Sequence, residues 1–395
     1  MKSKKVAIFL EFSLDKLLKI SYHKSMIFKR NIEPTIENYL TKQRKVIIIY
    51  GARQVGKTTM LHRIFDGQPD VVWYNGDDIN TQALFDKASL ADLAPLARGH
   101  KVVIIDEAQR IENIGLKLKI LYDNLGDDIQ FVATGSSSFD LANKINEPLT
   151  GRKWTFWLPA LSAKELVANT NYATEFANLE RRLIYGSYPA VISNPEDAQK
   201  IITELASDNL YKDVLALGDI IKTDKLRKIL TALALQIGSQ VSMNEIANLV
   251  GLDSKTVDKY ISLLEQAFII FRLPSYAKNL RNELKNSQKI FFYDVGIRNA
   301  ILNDFRPLEM RQDAGSLFEN YIIAELMKQH HDDNLYFWRT KDQQEIDYLI
   351  EKDGQLTAIE IKWHKEAKIP KSFIEAYSPA EIISINHQNY LQFIG

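Results

Sequence analysis

Residues 51–58 read Gly-Ala-Arg-Gln-Val-Gly-Lys-Thr and satisfy G-x-x-x-x-G-K-[ST] at every fixed position. A loop of this composition turns backbone N–H groups toward phosphate oxygens, and a helix after it brings the positive end of its dipole to the same charge. Gly51, Ala52, Arg53, Gln54, Val55, Gly56, Lys57, Thr58 and Thr59 are therefore the expected nucleotide-binding residues. Lys57 would bridge the β- and γ-phosphates of ATP, and Thr58 would hold Mg²⁺ through its hydroxyl. Such a pattern alone also arises by chance, and a second motif removes most of that doubt. In Val-Val-Ile-Ile-Asp-Glu (102–107), Asp106 ends a buried apolar run, where a carboxylate is costly unless it serves a cation. It is assigned to the Mg²⁺ shell, and Glu107 to orienting or deprotonating the attacking water.

Two further features belong to the same chemistry. Thr134-Gly135-Ser136-Ser137-Ser138 places small hydroxyls at the level of the γ-phosphate, with Ser136 the expected contact; helix capping explains these residues nearly as well. Arg152 would neutralise transition-state charge on its own nucleotide or on that of a neighbouring subunit. The plainer reading is a surface arginine.

A second constellation lies near the C-terminus: Glu319, Asp347 and Glu360-Ile361-Lys362. On a strand, residues two apart share a face, so Glu360 and Lys362 lie together and a hairpin brings Asp347 beside them. Asp347 and Glu360 would hold a hard divalent cation while Lys362 positions water for DNA cleavage. Charged residues on an edge strand as a guard against aggregation are the alternative.

Elements that must position these groups follow from the hydrophobic pattern. Runs at 46–50, 71–75, 102–106, 129–134 and 154–158 are continuous rather than alternating and are separated by helix-length segments. This predicts an α/β fold with a parallel sheet buried on both faces and its ligand site at the carboxyl ends of the strands. Beyond 160 the period turns helical, with a break at Gly186-Ser187-Tyr188-Pro189, as in a helical lid. Ser242 to Glu245 form a capping box, Gly251 ends that helix, and Asp253 caps a second carrying Val257, Ile261 and Leu264. This is a helix-turn-helix pattern that would present Ser254, Lys255, Thr256 and Lys259 to a DNA major groove; mere packing is the alternative. Arg272, Lys278, Arg281, Lys285, Lys289 and Arg298 face only Glu283 and Asp294 in 271–299, an excess suited to phosphate contact or to a solvated hairpin. KIFFYDVGI (289–297) would complete a hairpin or wing, and a helix over 316–329 with three strands follows.

Fifty basic residues balance fifty acidic ones, so no global field holds the chain on nucleic acid or an anionic membrane. With no cysteine, disulfides and thiol chemistry are excluded. The longest uncharged apolar stretches, such as 154–163, are half of the roughly twenty residues that a membrane span needs. Glu11, Asp15 and Lys16 interrupt the apolar start, so neither signal nor anchor is expected, and the location is expected to be cytoplasmic.

Gly51 to Thr58, Asp106-Glu107, the GSSS segment and Thr150-Gly151-Arg152 resemble the AAA-type ATPases of bacteria and archaea that carry a C-terminal domain of uncharacterised function. The resemblance covers nearly the whole chain after about residue 26. It implies an AAA-like ATPase core over 26–164, a helical lid over 165–238, a winged helix over 239–305 and a restriction-endonuclease-like α/β domain over 306–395. Asp347 and Glu360-Ile361-Lys362 resemble the D…ExK pattern of such nucleases, with Glu319 matching the helix glutamate of some, which implies Glu319 as a further metal ligand. Chains of the family open close to Met-x-x-[KR], as Met26 to Arg30 do, so residues 1–25 are expected to be an extension. The expected cofactors are ATP and Mg²⁺. One reading of the whole is an ATPase coupled to DNA binding or cleavage; the other is an ATP-driven switch, in an oligomer or alone, that docks protein partners through an inactive nuclease-like unit.

Overall fold

The computed structural model describes residues 27–42, 44–87, 89–136, 148–209, 214, 223–277, 288–340, 342–364 and 369–395, with backbone only at 41, 208 and 209. The expected extension at 1–25 lies outside the described residues, as do Ser137, Ser138, Lys278, Arg281, Glu283 and Lys285.

The first unit runs α1 (Glu33–Thr41), β1 (Val46–Tyr50), α2 (Lys57–Phe65), β2 (Val71–Asn75), α3 (Ile79–Leu84), α4 (Leu90–Ala97), β3 (Val102–Asp106), α5 (Ile114–Leu125), β4 (Gln130–Gly135) and β5 (Lys153–Trp157). Its sheet has the order β2-β3-β4-β1-β5, and every pair is parallel. Alternate residues serve opposite faces, as the two-residue period of a strand requires. Ile47, Ile49, Ile104 and Val132 share a core with Met60, Leu61 and Phe65 of α2. Val46, Ile48, Val103, Ile105 and Phe131 pack with Leu93, Ala97 and Leu118 of α4 and α5. The expectation of strands buried on both faces holds for β1, β3 and β4; β2 and β5 stay mostly half-buried because each is an edge with a neighbour on one side. The order places the carboxyl ends of β1, β4 and β3 side by side, so the loops after them share one rim.

Short helices follow: α6 (Ala163–Asn169), α7 (Tyr172–Ala177), α8 (Leu179–Tyr185), α9 (Pro189–Ser193) and α10 (Ala198–Glu204), ending in a π-helical turn. Then come α11 (Thr223–Leu235), β6 (Gln240–Val241), α12 (Met243–Val250), α13 (Ser254–Gln266), β7 (Ile270–Pro274) and β8 (Gln288–Phe292). These strands make an antiparallel sheet in the order β6-β8-β7. Ser242 and Asp253 accept from Glu245 N and Thr256 N at the starts of α12 and α13, and Gly251 ends α12, as their residue types require. α11, at the end of the expected lid, shares its core with α12 and α13 through Leu226, Ile229, Leu230 and Leu233.

The C-terminal part comprises α14 (Val295–Leu302), α15 (Ala314–Gln329), β9 (Asn334–Arg339), β10 (Glu345–Lys352), β11 (Gln355–Ile361), α16 (Lys371–Tyr377), β12 (Glu381–Ile385) and α17 (Leu391–Ile394). Its sheet is β12-β11-β10-β9, with β11 and β12 parallel and the other pairs antiparallel. Of the stretch 289–297, residues 289–292 complete the expected antiparallel pairing with β7, and the rest turns helical: Asp294 accepts from Gly296 N and Ile297 N and caps α14. A bridge from Ser275 to Phe337 joins the end of β7 to β9, so the two sheets meet. Among the described residues, no helix is long and apolar enough to cross a membrane.

Candidate nucleotide site

The loop between β1 and α2 has left-handed backbone at Gln54 (φ 60°) and Gly56 (φ 96°), and these turns curl it over the start of α2. Lys57 is buried and donates to the Gly51 and Ala52 carbonyls, both at 2.9 Å. Thr58 Oγ1 donates to Asp106 Oδ2 at 2.7 Å, across the gap between β1 and β3. Thr134, at the end of the intervening β4, donates to the other Asp106 oxygen, and Glu107 N donates to Thr134 Oγ1 at 3.1 Å. Glu107 occupies a left-handed turn (φ 47°), and its carboxylate accepts from Gln109 Nε2 at 2.6 Å. The same Nε2 reaches Ser136 Oγ at 3.0 Å. The phosphate loop, Asp106, Glu107 and Ser136 are thus brought together, with Gln109 and Thr134 tying them to one another. Sequence reasoning passed over Gln109, although it stands two residues beyond Glu107.

Beside the loop lies a cleft of about 410 Å³, a size suited to a small ligand. Gln54 to Met60 and Glu107 form one wall; Phe28, Arg30, Leu161, Pro189, Ala190, Ser193 and Asn194 form the other. The second wall was not foreseen. The break at 186–189 was legible only as punctuation between helices, and Met26 to Arg30 only as a start.

Three contacts tie this cleft to the C-terminal half. Ser187 N donates to Asp294 Oδ2 at 2.7 Å, Ala163 N to Glu325 Oε2 at 2.7 Å, and Lys328 Nζ to the Leu161 carbonyl at 3.1 Å. Glu325 and Lys328 are themselves a buried pair at 2.6 Å on α15.

Arg152 is elsewhere. It precedes β5 at the amino edge of the sheet, where its carbonyl accepts from Val46 N, and it pairs with Asp123 at 2.6 Å. The length of β1 separates it from the loop, about 16 Å at ~3.3 Å per residue. Action on its own nucleotide is excluded by that distance.

At the C-terminal site, antiparallel pairing of β10 and β11 sets Asp347 against Glu360. Lys362 Nζ donates to Asp347 Oδ2 at 3.0 Å and to Glu360 Oε1 at 2.8 Å, so the expected trio is assembled. Burial, together with the charge of Asp347, raises the Glu360 pKa to about 7. Glu319 has a different partner. It faces Lys289 of β8 at 3.1 Å, and that buried ammonium also pairs with Glu345. Burial would lower the Lys289 pKa, but Glu319, Glu345 and Asp347 outweigh it and keep the charge. The Glu319 pKa is raised to about 7 by burial, with Lys289 opposing. Among the described residues no group of three or more acidic or histidine side chains is arranged to hold a metal. Of the three expected ligands, Asp347 and Glu360 are paired through Lys362, whereas Glu319 is paired with Lys289 and is not part of that trio.

The expected basic face is also revised. Lys289 and Arg298 are buried, and Arg298 is bound to the Ala234 carbonyl and Asp313. Arg272 pairs with Asp258 at 2.7 Å and Glu265 at 3.1 Å. At the start of α13, Lys255 and Lys259 are exposed, whereas Thr256 is engaged in the cap by Asp253.

Comparison with known proteins agrees with the first unit and leaves the others undefined. Residues 43–167 match the family model described as an AAA domain, residues 176–307 a domain of unknown function (DUF8612), and residues 314–392 another (DUF4143). An uncharacterized protein of Mycobacterium tuberculosis is 26% identical over 336 residues, covering 84% of this chain and 73% of that protein. One from Methanocaldococcus jannaschii is 26% identical, covering 75% of this chain and 70% of its own length. A solved structure of a single-residue variant of Thermotoga maritima RuvB is 22% identical and covers 65% of this chain and 95% of that one, but its TM-score of 0.32 is too low to carry weight. Residues 43–167 are an ATP-binding domain of the AAA type.

Proposed function

We propose that the chain is a Mg²⁺-dependent ATPase whose nucleotide state is read by its C-terminal half. The Thr58–Asp106 contact at 2.7 Å, with Glu107 beside it, carries this reading. A hydroxyl and a carboxylate so close are hard oxygen donors, and Mg²⁺ takes one or two such protein ligands besides water and phosphate. When bound, Mg²⁺ supplies charge neutralisation at the β- and γ-phosphates. Lys57, turned from the loop carbonyls, holds the same phosphates. Glu107 orients the attacking water and takes its proton, while Gln109 fixes the carboxylate and Ser136. Arg152, out of reach of its own nucleotide, is assigned to that of a neighbouring subunit, which requires an oligomer. The first test is direct: Lys57→Ala abolishes ATP binding, and Glu107→Gln retains binding but stops turnover. Equal turnover in Glu107→Gln and wild type refutes the assigned base.

The order α11-β6-α12-α13-β7-β8 supports a winged-helix reading, and Asp347, Glu360 and Lys362 support a nuclease-like one. Lys289 favours a switch that docks protein partners over DNA cleavage, since it engages Glu319 with Glu345 and leaves Asp347 and Glu360 without the helix glutamate. Metal-dependent nicking that is lost in Asp347→Ala would reverse this preference. Binding to DNA with a steep negative dependence on salt would restore a nucleic-acid role for α13.

A further inference from the structure

The AAA match begins at residue 43, yet two side chains of the nucleotide cleft, Phe28 and Arg30, come from ahead of it. Arg30 is only 3% exposed, so its charge serves the interior. A buried guanidinium is tolerated when its donors meet good acceptors. Here Nε donates to Glu165 Oε1 at 2.9 Å, one terminal nitrogen to the Val55 carbonyl at 2.7 Å, and the other to the Pro159 carbonyl at 2.6 Å. Pro159 follows β5, and Glu165 closes the capping box of α6 with Ser162. The backbone around Arg30 is held as firmly: Arg30 N donates to Glu33 Oε1 at 2.7 Å, and Glu33 pairs with Arg63 of α2.

The Val55 contact bears on phosphate binding. A trans peptide sets its C=O and N–H on opposite sides, so a bond that holds the Val55 carbonyl also fixes the direction of the Gly56 N–H. In a loop that captures anions through backbone N–H groups, that direction decides whether the donor is available. Gly56 has φ 96° and offers no side chain to constrain the turn, so an external holder is needed. The guanidinium fork grips three acceptors in fixed relative directions; a lysine ammonium is a point charge and does not.

We propose that Arg30 is a positioning residue for nucleotide binding: it orients the Val55–Gly56 peptide and so presets the phosphate loop for its anion. The inference rests on the ATP-binding reading. Its test uses full-length protein, a fluorescent N-methylanthraniloyl ATP and steady-state ATPase rates. Arg30→Lys is expected to melt within a few degrees of wild type, with analogue Kd and ATP KM raised about tenfold and kcat changed less than twofold. A merely structural arginine predicts the opposite split, a fall in kcat that tracks the folded fraction at unchanged KM, and that result overturns the proposal. Arg30→Gln, which keeps fewer donors and removes the buried charge, carries the test if the lysine variant does not fold; a wild-type Kd in either folded variant overturns the proposal. Failure of both to fold assigns Arg30 to stability and overturns it too. Failure of wild type to bind the analogue would instead sink the ATP reading, an outcome visible without any variant.

Discussion

Asp106 accepts hydrogen bonds from Thr58 and Thr134 at once, one on each carboxylate oxygen. Two hydroxyls hold the group in a fixed direction at the rim, and its negative charge is what an amide would lack. Asp106→Asn keeps the acceptor geometry on one side only and removes the charge. The Mg²⁺ concentration for half-maximal ATPase activity is expected to rise at least tenfold, read from a metal titration at saturating ATP. An unchanged requirement would place the cation elsewhere. Both motif carboxylates were legible in sequence because Asp106 and Glu107 follow a buried strand directly, so the strand's end fixes where they stand. Gln109 was not, and Thr134 was legible only as one of several rim hydroxyls, because their roles come from side-chain hydrogen bonds across the rim.

Among the elements, the turn at 186–189 links the cleft to the C-terminal half. Gly186 has φ +76°, and a Cβ there would lie 1.9 Å from Asp294 Oδ1. Asp294 also takes the Ser187 N–H and caps α14, so an intruding methyl disturbs the cleft wall and a helix start together. Gly186→Ala is expected to destabilise by about 2 kcal/mol or more, as for a residue forced into a glycine-only region, with the urea midpoint as readout. Weaker ATP binding should accompany it. Wild-type stability and affinity would show that the turn yields easily. Helices with explicit caps, α12 and α13 among them, were legible because capping is a local choice of residue. In the 289–297 segment the strand was legible but its end was not, because a strand and the helix after it abut with only Tyr293 and Asp294 between; the apolar run does not mark where its period changes.

For the whole molecule, the ion network around Lys289 holds the middle sheet to the C-terminal one. Removing its charge leaves the half-buried Glu319 and Glu345 without that cation, so Lys289→Met should cost about 1–3 kcal/mol in urea unfolding. An unchanged midpoint would mean that the carboxylates find other partners. The network also makes stability depend on pH. Glu319 and Glu360, with pKa values raised from the usual 4.5 to about 7, favour the folded state while protonated. Their contribution is present in full below pH ~4.5 and is lost as pH rises through ~7. Asp304 works in the other direction: hydrogen bonds from Arg306 depress its pKa to about 2, so its contribution is lost as pH falls through that value. Urea midpoints should therefore decline between pH 5 and 8, and Glu319→Gln should flatten that decline. An equal slope in the variant would remove Glu319 from the explanation.

By itself the sequence determined the phosphate loop, the acidic pair after β3, the parallel sheet between them and the paired helices over 243–266. Each of these is set by neighbours in the chain, through motif, strand period or cap. Tertiary structure alone decided that Arg30 reaches Val55 and that Pro189 and Leu161 wall the cleft. It also decided which lysines meet water: Lys255 and Lys259 are exposed, whereas Lys289 lies buried among carboxylates. A sequence shows a charge but not its solvent. Burial is chosen by packing between segments far apart in the chain, and it turns the same side chain from a surface group into an internal counter-ion.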